Sequence, residues 1–129
     1  MIAIRPAVES DRNHILATWL RTGVGGSGVP SVIWYREHER LLREVVLPRA
    51  AVRVAALEAE PAVIAGWVAD EPGVLHYVHV KPRFRGNGIA RMLVGRITDA
   101  REYSHRPPEW FSVPGGWTFN PYRLWSPKQ

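Results

Sequence analysis

Apolar and polar positions fall into blocks whose period changes along the chain. Ile2 to Arg5 alternates and stops at Pro6, which predicts a short first strand. Ser10 then offers a helix N-cap with Asp11 in the first turn, and Ile15, Leu16, Trp19 and Leu20 recur at helical spacing until Gly23. After the glycine-rich residues 23–30 a second helix is expected from about Val32 to Leu47, with Glu39 and Arg43 spaced for an ion pair and Pro48 closing it. From Ala51 the pattern becomes β-branched. Val52 to Leu57, Ala62 to Val68 and Val74 to Val80 are predicted as strands, with Asp70-Glu71-Pro72-Gly73 as a turn before the last of them.

Beyond a second cluster of glycines, Ile89, Met92, Leu93, Ile97 and Ala100 fall on one apolar helical face. The tail, residues 105–129, holds five prolines and three tryptophans, and Trp110 to Val113 and Trp117 to Asn120 are expected to pair as a hairpin across Pro114-Gly115-Gly116. The predicted order, β-α-α-β-β-β-α-β, gives an α+β fold with a mixed sheet and a shortened C-terminal part. A single domain over residues 1–129 is expected, its core about residues 2–104.

Composition narrows the setting. A chain of 129 residues, 46% of them hydrophobic, buries roughly two-thirds of the surface its unfolded form exposes. There are no cysteines, which excludes disulfides, thiolate metal sites and a cysteine nucleophile and points to a reducing compartment. No run approaches the ~18 apolar residues of a membrane span, and the opening MIAIRPAVES lacks the layout of a signal peptide. The expectation is a cytoplasmic protein with no membrane partner. The formal charge is +5, and fifteen of the seventeen cations are arginines. Arginine suits bidentate contact with phosphate, so a polyanionic cofactor or nucleic acid fits, as does a merely solvated basic surface.

The segment that carries chemistry is HYVHVKPRFRGNGIARML, residues 76 to 93. A strand runs into Arg85-Gly86-Asn87-Gly88-Ile89-Ala90 and a helix begins within the glycines. Such a turn lets successive backbone N–H groups converge on an anion, with the helix start adding partial positive charge. Arg85, Gly88 and Ala90 resemble the Arg/Gln-x-x-Gly-x-Gly/Ala signature of the GNAT N-acetyltransferase family, and Arg83-x-x-Gly86-x-Gly88 satisfies it in a shifted frame. The resemblance covers about residues 2 to 104. It implies acetyl-CoA as cofactor. Amides of Arg85, Gly86, Asn87, Gly88, Ile89 and Ala90 would hold its pyrophosphate, and main-chain groups of Val78 and Val80 would pair with its pantetheine arm. The implied activity is an N-acyltransferase moving an acetyl group to a primary amine on a small molecule or a protein.

His76 is the candidate base, on a strand face shared by alternation with Val74, Val78 and Val80. A histidine packed and hydrogen-bonded on the sheet stands as the other reading, and His79, facing the opposite way, is read as structural. Asp70 and Glu71 are carboxylates at the strand entrance, read mainly as solvated turn residues. For the general acid the family often uses a tyrosine on a later helix that this chain lacks. Tyr122 is favoured here, with Tyr103 second. Gly23 to Gly28 spells G-x-G-x-x-G, but it follows a helix rather than a strand, so it is not a dinucleotide fingerprint. That loop would border the acceptor pocket, which Trp34 and Tyr35 would line if they do not simply pack. His14, His38 and His105 are scattered without metal-ligand spacing, so no metal is expected. The alternative function is a nucleic-acid-associated protein on a GNAT-like scaffold, modifying bases or only binding. The aromatic tail also suits a homodimer seam.

Overall fold

The computed structural model describes residues 1–125. Strand β1 (Ile2–Pro6) leads into helix α1 (Arg12–Gly23), then a helical stretch α2 over residues 31–49, strands β2 (Ala51–Leu57), β3 (Ile64–Glu71) and β4 (Val74–Val80), helix α3 (Ile89–Val94), and strands β5 (Glu102–Tyr103) and β6 (Thr118–Phe119). The strands form one sheet in the order β1 to β6. The first four are antiparallel neighbours, while β5 runs parallel to β4 and β6 parallel to β5. The mixed α+β sheet is therefore the architecture the sequence predicts. Among the described residues, no helix is long and apolar enough to cross a membrane.

Each face of the sheet carries its own core. The apolar stripe of α1 packs with Leu42 and Val46 of α2 onto Trp67 and Tyr77. Trp19 is fully buried there, 5.3 Å from Trp67 and stacked on Tyr77 at 5.4 Å between ring centroids. The polar atoms of two core tryptophans are satisfied locally, Trp67 Nε1 donating to Thr18 Oγ1 (2.8 Å) and Trp34 Nε1 to the Leu20 carbonyl (2.9 Å). On the opposite face Ile89 and Leu93 of α3 join Val68, Leu75, Val78 and Val80, and the tail lays Trp110, Phe111 and Trp117 against them. Covered on both sides, all seven residues of β4 are buried.

Several local expectations change. Asp11, not Ser10, occupies the N-cap position of α1, and its side chain does not cap the helix, since its carboxylate takes two hydrogen bonds from Arg5 (2.8 and 3.3 Å) and one from the Val8 amide. Stretch α2 alternates α and π turns and continues through Pro48 to Arg49, the Ala50 amide closing its last turn on the Val46 carbonyl. The Glu39–Arg43 pair forms as expected. Strand β3 reaches Glu71 because its ladder with β4 persists, leaving only Pro72 and Gly73 in the turn, with Gly73 at φ +84°. Helix α3 is only six residues long. Met92 is exposed, and Ile97 and Ala100 reach the core from the following loop rather than from a helical face. The expected hairpin is absent: residues 110–113 form no strand, and Thr118–Phe119 pairs in parallel with Glu102–Tyr103.

The most consequential irregularity lies in β4. Its register against β3 slips between Ala69, opposite Tyr77, and Asp70, opposite Leu75, so that His76 has no ladder partner. An extra residue of this kind resets the alternation of faces. Leu75 consequently packs with Val78 and Val80, and the expected shared face of His76 with those valines does not exist. Close approach of β3 to β4 also demands Gly66, where a Cβ would lie 2.5 Å from the His79 carbonyl oxygen. Replacing Gly66 with Ala should therefore destabilise the fold by about 2 kcal/mol, in the range of overpacked cores; a urea midpoint equal to the parent's would contradict this contact.

Candidate active site

Strand β4 ends at Val80 and the chain turns through Pro82–Phe84 into the glycine segment. Gly86 (φ +82°) and Gly88 (φ +78°) take the left-handed conformation that side-chain-bearing residues resist. No neighbouring atom would meet a Cβ at either position, so dihedral angle rather than crowding sets the requirement. Among the described residues, none of the amides of Gly86, Asn87, Gly88, Ile89, Ala90 and Arg91 has an internal acceptor, whereas the Arg85 amide donates to the Pro82 carbonyl (3.2 Å). The Asn87 side chain braces the loop by donating to the Phe84 and Arg85 carbonyls. Beside this row of free amides opens a cleft of about 570 Å³, lined by Val80, Arg85, Gly86, Gly88, Ile89 and Ala90 and closed by Trp110, Phe111 and Trp117 of the tail.

The edge of β4 next to this cleft is unpaired. Strand β5 contacts it only opposite Val74 and Leu75, with the Ser104 amide adding one bond to the Leu75 carbonyl. The Lys81 amide donates to Ala65 on β3, so by alternation the peptide groups of Val78 and Val80 face the open side. The Val80 carbonyl there accepts from Arg85 Nε at 3.0 Å, and the Arg85 guanidinium lies 4.9 Å over the Trp110 ring.

A second cleft of about 630 Å³ lies on the α1 and α2 side, lined among others by Ser27, Trp34, Glu37, His38, Tyr77, Ser104, His105 and Phe119. Here a chain of hydrogen bonds crosses the structure. His38 Nε2 meets His105 Nε2 at 2.8 Å, His105 Nδ1 meets Ser104 Oγ at 3.0 Å, Ser104 Oγ meets His76 Nδ1 at 2.7 Å, and His76 Nε2 meets Glu71 Oε2 at 2.8 Å. Glu71 also pairs with Arg49 at 3.4 Å. The His38 ring stacks on Trp34 with centroids 3.8 Å apart.

No family model matches the sequence, and no curated protein matches it. Solved structures do. The chain is similar to apo YjaB from Escherichia coli, with a TM-score of 0.57 and 26% identity over 75% of this chain and 64% of that one. It is also similar to a GNAT-family acetyltransferase from Staphylococcus aureus (TM-score 0.55, 13% identity, 75% and 64% covered). A GCN5-related N-acetyltransferase from Rhodopseudomonas palustris gives a TM-score of 0.52 at 18% identity over 73% and 61%. The chain has the GNAT acetyltransferase fold. It spans less than two thirds of the length of these proteins.

Within the GNAT fold the expected residues separate. Val80, Arg85, Gly86, Gly88, Ile89 and Ala90 line the first cleft; Val78 and Asn87 do not, Val78 being buried in the sheet. The Arg85 amide is spent on the turn, and Arg91 adds a free one beyond the expected set. With α3 only six residues long, the unpaired amides at the turn rather than a long helix dipole contribute the positive field there. His76 is 1% exposed, both ring nitrogens are engaged, and it lines neither cleft, because the bulge turns it toward Glu71 and Ser104. Tyr122 is 77% exposed in a 3-10 turn that leads it to solvent and away from both clefts, while Tyr103 packs on Phe119. Sequence reasoning missed His38 and the adjacent pair Ser104 and His105, because 67 residues separate His38 from His105 and no spacing links them. Glu71, read as a solvated turn residue, ends β3 and is mostly buried.

Burial pushes every histidine below the usual imidazole range. His38 and His79 are driven down to about 4 and His105 well below 6.5, while desolvation of His76 outweighs its bond to Glu71. Burial likewise lowers His14, with Lys81 and Arg21 adding to the effect. The rings are therefore neutral near pH 7. Since these groups gain protons more readily when unfolded, the unfolded chain binds more protons as pH falls below 6.5, and stability is lost toward about pH 4. Asp70, raised from 3.8 by burial, acts in the opposite sense but is one group against five. The urea midpoint should be clearly lower at pH 5 than at pH 7.5; equal midpoints would show that the histidines are not held neutral.

Proposed function

We propose that this protein is an acetyl-CoA-dependent N-acyltransferase acting on a primary amine. The observation that carries the reading is that the amides of Gly86, Gly88, Ile89, Ala90 and Arg91, residues that border the first cleft, have no internal acceptor among the described residues. Donors left without an internal partner are taken up by a ligand or by water, and a diphosphate, with its several oxygens, suits such a set of loop and helix-start amides. The cleft's size lies within the range of small-molecule sites, and the Arg85 and Arg91 side chains add positive charge to it. The unpaired edge at Val78 and Val80 suits an amide-bearing arm that hydrogen-bonds as an added strand would. The residues present thus fit acetyl-CoA, which when bound supplies the activated acyl group.

The chain's own contribution is then positioning and proton handling. The free amides anchor the cofactor at one face of the sheet, and the second cleft, on the other face, takes the acceptor amine. Trp34, Tyr77 and Phe119 give that cleft aromatic walls and exclude water, while Glu37 places a carboxylate where a cationic amine can be attracted. Val80 borders the first cleft and Tyr77 the second, so both are reached from one short run of β4, about 10 Å long at the usual rise per residue.

Isothermal titration of the purified protein with acetyl-CoA should give one site per chain, and the absence of binding by both acetyl-CoA and CoA would overturn the reading. Replacing Gly88 with Val, which forces a branched residue into φ +78°, should weaken binding at least tenfold while leaving the circular dichroism of the β-rich core unchanged. Undiminished affinity would move the diphosphate away from this turn.

A further inference from the structure

The hydrogen-bond chain from His38 to Glu71 has a direction that its chemistry fixes. Glu71, as the carboxylate that its pairing with Arg49 calls for, can only accept, so His76 carries its proton on Nε2 and presents a lone pair at Nδ1. Ser104 must then donate its hydroxyl proton to His76 and accept at its oxygen from His105 Nδ1–H. His105 in turn presents a lone pair at Nε2 and accepts from His38 Nε2–H. Each neutral ring has one proton, and every one is assigned. What is left over is a single lone pair, His38 Nδ1, on a side chain that lines the second cleft.

We propose that this chain is a proton relay in which His38 is the catalytic base toward the acceptor amine and His105, Ser104 and His76 connect it to Glu71. The inference rests on the acyltransferase reading and deepens it. When an amine R–NH2 attacks the acyl carbon, a C–N bond forms and the C–S bond breaks, its electron pair leaving on sulfur. The surplus proton on nitrogen enters at His38 Nδ1, and each group hands its own proton to the next until one neutralises Glu71. Return of one proton by the same route to the departing thiolate restores the starting polarity, so one proton leaves nitrogen, one reaches sulfur and no ring turns over.

Two structural facts favour a relay over a merely packed cluster. Burial makes each ring a poor place to store charge, so an entering proton is displaced along the row to the one anion at its end. The row also spends the buried side chains of Ser104 and His76, 2% and 1% exposed, entirely on one another and on their neighbours His105 and Glu71. An apolar pair would fill the same space without that arrangement.

The test begins without ligand. Nitrogen-15 spectra of the histidine-labelled protein at pH 7 should show His38 and His76 as Nε2–H tautomers and His105 as the Nδ1–H tautomer; a different tautomer at any of the three overturns the chain. Ser104→Ala, with an intact fold verified in the same spectra, should release the tautomers of His105 and His38 into mixtures, and Ser104→Thr should restore them. Unchanged single tautomers in Ser104→Ala also overturn the relay. Turnover is then followed as CoA release from acetyl-CoA with spermidine, glucosamine and a lysine-containing peptide as probes. For the amine that reacts, Ser104→Ala should lower kcat by about 10- to 100-fold, the usual yield of general base catalysis, with the KM for acetyl-CoA unchanged and the solvent isotope effect reduced. An undiminished kcat overturns the proposal, as does acetyl-CoA binding without turnover of any probe. Failure of the parent protein to bind acetyl-CoA strikes the acyltransferase reading instead and leaves the tautomer measurements standing.

Discussion

Strands β4 and β5 part after two residue pairs, and nearly everything distinctive in the molecule follows from that parting. Parallel neighbours in a sheet would ordinarily continue to pair, satisfying one another's peptide groups. Here the chain after Tyr103 instead turns Ser104 and His105 toward the α1 and α2 side, and His76 stands bulged out of the ladder with β3 where the separation begins. Ser104 and Glu71 hold that bulged ring from two directions, so the irregularity is bonded in place rather than left as a defect. The edge at Val78 and Val80 has no strand partner among the described residues as a result, its one carbonyl bond being that of Val80 from Arg85.

A sheet opened in this way presents different chemistry on its two faces. One face meets the glycine turn, whose donors come from backbone and are independent of side-chain identity. The other meets aromatic rings and histidines, where the donors and acceptors belong to side chains, most of them paired with one another and Trp19 Nε1 left without a partner among the described residues. Backbone donors suit a ligand of fixed structure, and adaptable side chains suit one that differs between related proteins. The basic character of the chain acts at the first face, where arginines surround the turn, and reaches the second mainly through Arg106.

The sequence disclosed what depends on neighbours along the chain. Alternation located β1 to β4, the glycines marked the turn after Val80, and the α1 stripe of Ile15, Leu16, Trp19 and Leu20 is the buried one. It was silent or misleading where tertiary pairing decides. Trp110 to Val113 has strand-like composition, yet Trp110 and Phe111 pack against the core on the α3 face instead of forming a hairpin. Ile97 and Ala100 continue a helical spacing that the backbone abandons after Gly95, whose amide makes the last i→i−4 bond, to Arg91. His38 and His105 are 67 residues apart and meet only because α2 and the post-β5 segment flank the same cleft. A period-2 argument placed His76 beside Val78, and one inserted residue, which no local pattern announces, moved it.

Arg85 shows why a sequence signature and a working site need not assign the same task to one residue. Its amide is tied to Pro82, its Nε to the Val80 carbonyl, and its guanidinium to the face of Trp110. None of these groups is left wholly free for a ligand, yet together they join the end of β4, the glycine turn and the tail into one rigid corner. Of the amides that follow it, those of Ile89, Ala90 and Arg91 are unpaired because the first turn of a helix has no preceding helical carbonyl to meet them. The tail thus contributes in the place of a longer helix: Trp110 fixes the arginine, the arginine fixes the turn, and the turn presents six donors in a row. Removing the Trp110 ring would release the Arg85 guanidinium and open one wall of the first cleft, while leaving every backbone donor of the turn in the chain.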